Sequence, residues 1–164
     1  MTTPSLRRGA LAVAFVLAAG CGRSSEPRGA QAATSGPADS AAAARVREAF
    51  LHAWRGYERY AWGHDQLLPL SRGSRDWYPA SLVMTPLDAF DTMLLMGLRA
   101  EAAKAKALIL DSLSFDRDFP VQAFEITIRM LGGLISAYQM DGDPRFLALA
   151  RDLGDRLLPV FRSR

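Results

Sequence analysis

VQAFEITIRMLGGLISAYQMDGD, residues 121–143, holds a single acid, Glu125, and a single guanidinium, Arg129, as its only charges before Asp141. A long apolar run without proline predicts a helix, and residues at i and i+4 share one helix face. The pair therefore looks out together from a greasy background. Burying two charges is costly unless something uses or compensates them. Gly132 and Gly133 in mid-helix would each cost about 1 kcal/mol relative to alanine, a cost tolerated where a backbone or ligand approaches closely. The pattern predicts a site on a helix that buries Phe124, Ile128, Leu131, Ile135 and Tyr138 along one stripe.

On either side of this block the chain keeps a helical rhythm. Upstream, Val46, Phe50, Ala53, Trp54, Tyr57 and Ala61 recur at a helical period, and Gly63 closes that run. A polar loop with Pro69, Gly73 and Pro79 comes next. Thr85 then offers an N-cap, Pro86 fits the first turn and Asp88 completes a capping box, with Gly97 as the stop. A third helix over 100–113 turns Ala103, Leu108, Leu110 and Leu113 inward. Residues 119–122 are extended around Pro120. Downstream, Asp143 and Pro144 start a last helix with Phe146, Leu149, Leu153 and Leu157 inward. Asp141-Gly142-Asp143 lacks the further spaced oxygens of a calcium loop and reads as a turn and cap. Five helices joined by short loops make the fold class all-α.

The first 40 residues are of another kind. Arg7 and Arg8 precede an apolar stretch, 10–19, too short to span a bilayer. It ends in Leu17-Ala18-Ala19-Gly20-Cys21, which resembles a bacterial lipobox, so residues 1–21 read as a lipoprotein signal peptide with lipidation expected at Cys21. Gly22 after the cysteine, by resemblance to such lipoproteins, favours the outer membrane or cell surface. The adjacent arginines also leave a twin-arginine export route open. Residues 22–40 are rich in Gly, Ser, Pro and Ala and read as a flexible linker, leaving 41–164 as the folded part. Cys21 is the only cysteine, so no internal disulfide can form. The 164 residues carry a net charge of +3 with no basic run and no zinc-ligand set, which argues against a nucleic-acid partner.

Four stretches in order carry a family resemblance: HAWRGYERYAWGHDQLLPLS at 52–71, TPLDAFDTMLLMGLRAEAAKA at 85–105, the block at 121–143, and DPRFLALARDLGDRLLPVF at 143–161. Together they resemble glycoside hydrolase family 47, the class I α-mannosidases. The resemblance implies the first helical hairpins of an (αα)7 barrel, incomplete in this chain because the family's catalytic domain is several times longer. It implies an inverting α-1,2-mannosidase with a bound calcium, acting on mannose-containing glycans. Glu125 falls where the family carries its general acid, and Arg129 would hold the sugar or tune that acid. Asp88 and Asp91 match the family's D-x-x-D-T pattern. Asp91 is the stronger expectation for a sugar-facing cleft, because capping explains Asp88 equally well. The family's other active-site carboxylates and its calcium-ligating threonine find no counterpart here, so no metal ligand is expected within these residues and none of the chemistry from them alone.

Other residues have weaker expectations. His52 reads as a packed core histidine, His64 and Asp65 as rim residues, Glu101 and Asp111 as solvated. Trp54, Trp62, Trp77 and Tyr57 could stack on sugars, although aromatics at helical spacing more often form core. The rival readings are a non-catalytic glycan-binding module of the same family, another α/α-barrel enzyme, and a decayed gene.

Overall fold

The computed structural model describes residues 39–162; the expected signal segment, its Cys21 and residues 22–38 of the expected linker lie outside the described residues. Helix α1, Ser40–Tyr60, is capped by Asp39, whose carboxylate accepts from the Ala42 N–H at 2.9 Å. It buries only Trp54 and Tyr57, with their rings stacked at 5.1 Å. Val46 and Ala53 are exposed instead of inward, and so is His52, which is no core histidine. The Tyr57 hydroxyl donates to the His64 carbonyl at 2.7 Å, fixing the loop that leaves α1 through Gly63 at φ +83°.

The expected polar loop contains a small antiparallel hairpin, β1 (Gln66–Leu68) and β2 (Gly73–Arg75), in the register Gln66↔Arg75 and Leu68↔Gly73. Three-residue strands are too short to display the alternation by which a strand is recognised. A second departure lies at the start of α2, Met84–Leu95. Thr85 is not the cap: Val83 stands there in left-handed conformation at φ 48°, with no side-chain cap. The capping work is done from a distance by Asp65. Its carboxylate accepts from the N–H groups of Leu82 (2.7 Å), Met84 (3.1 Å) and Trp77 (3.1 Å) and from the Ser81 hydroxyl at 3.1 Å. Thr85 in turn donates its hydroxyl to the Asp65 carbonyl at 2.6 Å. Asp65 is only 2% exposed, the one buried charged residue among those described, and not a rim residue.

Helix α2 ends as expected at Gly97, where φ is +68° and the Leu98 N–H returns to the Met93 carbonyl at 2.8 Å. Helix α3, Arg99–Ser112, buries Ala102, Ala105 and Ile109, so its inward face is offset from the expected Ala103, Leu108 and Leu110. Helix α4 covers residues 123–141 and is not uniform. A first turn, Ala123–Glu125, leads into a π-helical stretch, Ile126–Leu131, and then a regular α segment, Gly132–Asp141. Its buried stripe is Ile126, Met130, Leu134 and Ala137. Phe124, Ile128 and Ile135, expected inside, are exposed. Gly142 at φ +82° closes α4, and Asp143 caps α5, Pro144–Leu157, by accepting from the Arg145 N–H at 3.0 Å. Phe146, Leu153 and Leu157 are buried on α5 as expected, and a short 3₁₀ turn, Leu158–Phe161, comes after it.

Helix α2 is the centre of the packing, lying against both α3 and α4, while α4 also rests on α5. Phe90 of α2 meets Phe146 of α5 with ring centroids 5.2 Å apart, and both rings are fully buried. Burying each such ring contributes roughly 1.5–3 kcal/mol. The described residues are all-α apart from the hairpin, and none of their helices is long and apolar enough to cross a membrane.

Candidate active site

The site grows out of the contact between α2 and α4. Their approach depends on Gly133: a Cβ there would stand 3.0 Å from Leu87 Cγ, so the missing side chain is what lets the α2 leucine in. Gly132 is different. Its nearest neighbour beyond the adjoining helix backbone would be the Thr127 carbonyl at 3.7 Å, ordinary contact. Of the two glycines expected to permit a close approach, Gly133 does so.

Either side of that contact, α2 presents a carboxylate to α4. Asp88 Oδ2 accepts from Arg129 Nη1 at 2.8 Å. One turn further, Asp91 Oδ2 accepts from the Ser136 hydroxyl at 2.7 Å, while Thr92 donates to its other oxygen at 3.3 Å. Arg129 also donates from Nε to Glu125 Oε2 at 2.6 Å, so one guanidinium bridges two acids from two helices. The structure therefore brings Glu125, Arg129 and Asp88 together and holds Asp91 apart, on Ser136. Asp88 has no capping role. Cys21 lies outside the described residues.

The π-helical stretch sits under this cluster. The Gly132 N–H reaches back five residues to the Thr127 carbonyl, and the Thr127 hydroxyl donates to the Ala123 carbonyl at 2.7 Å. Single π turns inside α-helices are frequent at functional sites. Here the turn spans Arg129, and Glu125 immediately precedes it.

Electrostatically the cluster is a fixed cation between two carboxyl groups. Glu125 first, and Asp88 second, raise the Arg129 pKa above its ordinary value, so the guanidinium stays charged. The Arg129 and Asp88 side chains are about a third exposed. Ion pairs this wet contribute only ~0–1 kcal/mol, too little for the fold to depend on them. The guanidinium carbon also lies 5.3 Å from the centroid of the Trp77 ring, so the cluster is floored by an aromatic face. Trp77 is 40% exposed, whereas Trp54 and Tyr57 are core. The sequence groups all four candidate aromatics together; the position of Trp77 in a Gly- and Pro-containing loop, off any helical period, is the signal that would have separated it. Asp65 and Ser136 had no such signal: each matters through a partner dozens of places or a whole loop away.

A carboxyl group with an oriented cation and an adjacent exposed indole can bind a polyol and pass a proton to it. Among the described residues no three His, Cys, Asp or Glu side chains converge as a metal-binding group.

Comparison with known proteins bears on this arrangement. A family model, glycosyl hydrolase family 47, matches residues 49–164. The chain is 49% identical over 118 residues to the endoplasmic reticulum mannosyl-oligosaccharide 1,2-alpha-mannosidase of Homo sapiens, covering 72% of this chain and 17% of the relative. It is 48% identical over 118 residues to the Rattus norvegicus protein of that name, covering 72% of this chain and 18% of the relative. It is 43% identical over 127 residues to mannosyl-oligosaccharide 1,2-alpha-mannosidase MNS1 of Arabidopsis thaliana, covering 77% and 22%. The chain thus spans about a fifth of the length of these curated relatives.

Proposed function

The chain belongs to glycosyl hydrolase family 47, the class I α-mannosidases, and from that premise we propose that Glu125 is the proton donor of an α-1,2-mannosidase acting on mannose-containing glycans. The observation that carries the reading is the Glu125–Arg129–Asp88 cluster beside the exposed Trp77. Hydrolysis of a glycosidic bond needs one carboxyl to protonate the leaving oxygen and a base to activate water. Glu125 gives its proton to the glycosidic oxygen as the bond to the anomeric carbon breaks. Arg129 keeps that carboxyl aimed and, through Asp88, ties it to α2, and Asp91, held on Ser136, is assigned to sugar binding on the sequence pattern. An inverting course requires the base on the opposite face of the sugar, a role we assign to no described residue. The same proposal includes the (αα)7 architecture, of which the five helices would form the opening hairpins.

Calcium, which the family resemblance implies, does not fit the described residues as direct ligands. A hard cation takes six to eight oxygens, whereas both carboxylates here already share the charge of Arg129. We derive no step through it. Export and anchoring through a lipid on Cys21 belong to the proposal on the sequence pattern alone; a Cys21→Ser protein released from the membrane fraction would support it.

The test is hydrolysis of α-1,2-linked mannobiose by the protein expressed from its own gene, with and without a calcium chelator, watching the anomer released. Glu125→Gln is expected to lower turnover about 10²–10⁴-fold with the fold intact. Undiminished turnover in that variant refutes the assignment. Wild-type protein that binds mannobiose without cleaving it points to the non-catalytic glycan-binding module instead.

A further inference from the structure

Helix α1 and the β1–β2 hairpin border an open groove of about 700 Å³ that shares no lining residue with the Glu125 cluster. Leu67 brings the two elements together. Its Cδ2 stands 3.4 Å from where a Cβ on Gly56 would be, so the hairpin rests directly on the helix. His52, Arg55 and Arg59 line the groove from α1, and Arg72 lines it from the hairpin loop. No acidic residue lines it.

The positive charge is left uncompensated. Glu58, the acid between Arg55 and Arg59 in sequence, turns instead to Lys104 of α3 at 3.1 Å. Asp65, the next acid along the chain, is committed to the start of α2. Among the described residues Arg55, Arg59 and Arg72 pair with no carboxylate, and all three are exposed. Arg59 leans on Tyr60, its guanidinium carbon 5.2 Å from the ring centroid. Arg72 is held at φ 53°, a left-handed conformation for which glycine or asparagine is the ordinary choice in a turn. An arginine at that position adds a third guanidinium to the groove at a cost in backbone strain.

Between the lining residues Pro69 and Arg72 the hairpin carries Leu70, which is fully exposed. A lone exposed leucine is ordinary. A leucine at a hairpin tip among unpaired guanidiniums has the chemistry of a surface that lies on a membrane. Cations meet headgroup phosphates while the apolar side chain enters the acyl boundary. A free phosphate ester would engage the arginines and leave Leu70 in water. Exposed cations also hold a single ion weakly against salt, whereas a lipid surface presents many phosphates together. We propose that the α1–hairpin groove docks the folded part of the chain on an anionic phospholipid surface. Arg55, Arg59 and Arg72 take headgroup phosphates and Leu70 inserts. The proposal is independent of the mannosidase reading and of a lipid on Cys21.

Cys21 is the only cysteine, so Cys21→Ser with Leu70→Cys leaves one thiol, at the hairpin tip, for a polarity-sensitive fluorophore. The full chain labelled there is titrated with vesicles of phosphatidylcholine alone and of phosphatidylcholine mixed equally with phosphatidylglycerol. The emission is expected to shift to the blue on the anionic vesicles only, and to lose that shift in high salt. The same label at Leu95→Cys, an exposed apolar position outside the groove, should not respond. Arg55→Gln and Arg59→Gln, each checked for native helicity, should weaken vesicle binding about fivefold. Arg72→Gly relieves the left-handed backbone, so it should raise the Tm while weakening binding by about the same factor. A silent tip label, a response shared by the Leu95 position, or binding unmoved by the arginine variants overturns the docking surface. Inorganic pyrophosphate bound with the same arginine dependence, while the tip stays silent on vesicles, overturns it in favour of a soluble phosphate site.

Discussion

Asp65→Ala should be among the most destabilising single changes in the molecule. The carboxylate is 2% exposed and accepts from three backbone N–H groups and one hydroxyl. Removing it leaves the Leu82 and Met84 N–H groups buried without an acceptor, since both residues are only 2–3% exposed. Trp77, at 40% exposure, can turn its N–H to water. Each buried orphan costs about 1–3 kcal/mol, which places the loss for the two at about 2–6 kcal/mol, a large part of the 5–15 kcal/mol typical of a domain. Asp65→Asn keeps one oxygen for Ser81, Leu82 and Met84 but sets an NH₂ against the Trp77 N–H, and should cost about 1–2 kcal/mol. Urea unfolding monitored by circular dichroism, with unchanged slope, reads both numbers. A loss below about 1 kcal/mol for Asp65→Ala would refute the view that this carboxylate organises the start of α2. The order of the two variants is a second check: Asn worse than Ala would contradict the acceptor argument.

The remaining predictions concern packing and titration. Gly133→Ala should destabilise by about 1 kcal/mol net, because Leu87 at 3.0 Å is core and yields poorly, whereas Gly132→Ala should stabilise by up to about 1 kcal/mol; thermal melts of the pair decide it. Burial chiefly raises the Tyr57 phenol above its ordinary 10.0, so the stability tied to its neutral form is present through pH 10 and lost at more alkaline pH. Absorbance at 295 nm should show one of the four tyrosines titrating last and with unfolding, and Tyr57→Phe should abolish that step. Arg145, through its side chain and then its N–H, with Lys106 adding to both, holds Asp143 below its ordinary 3.8. Its contribution is therefore present above that value and lost as acid drives the pH below it. Asp143→Asn, which keeps the cap oxygen, should flatten the fall in stability below pH 4.

Helix type and order were readable because amphipathic periods, Gly97 and the Asp143–Pro144 start are local signals. So was the Glu125–Arg129 pair, since spacing alone puts both on one face. The inward stripe of α4 was not, because a helix apolar all round offers two candidate stripes. The true one runs 126, 130, 134 and 137. The cap at Thr85 failed for a different reason: a carboxylate 20 residues earlier had already claimed the free N–H groups, and nothing local reveals that. The hairpin escaped because three residues cannot show alternation, and the groove between it and α1 escaped with it.

The π turn in α4 can also be regarded as a spare residue. An α-helix advances roughly 100° per residue, so accommodating one extra residue within a turn uncouples the facing of the residues before it from that of the residues after it. Glu125, ahead of the turn, meets Arg129, while Ser136, behind it, meets Asp91 on the neighbouring helix α2. In a uniform helix those two aims would be tied to one another by arithmetic. Here a change in the length of the turn would swing the acid away from α2 while leaving the Asp91 anchor and the Leu87–Gly133 contact where they are. The Glu125–Arg129 cluster and the Asp91–Ser136 contact thus share a single helix, one at the π turn and the other beyond it.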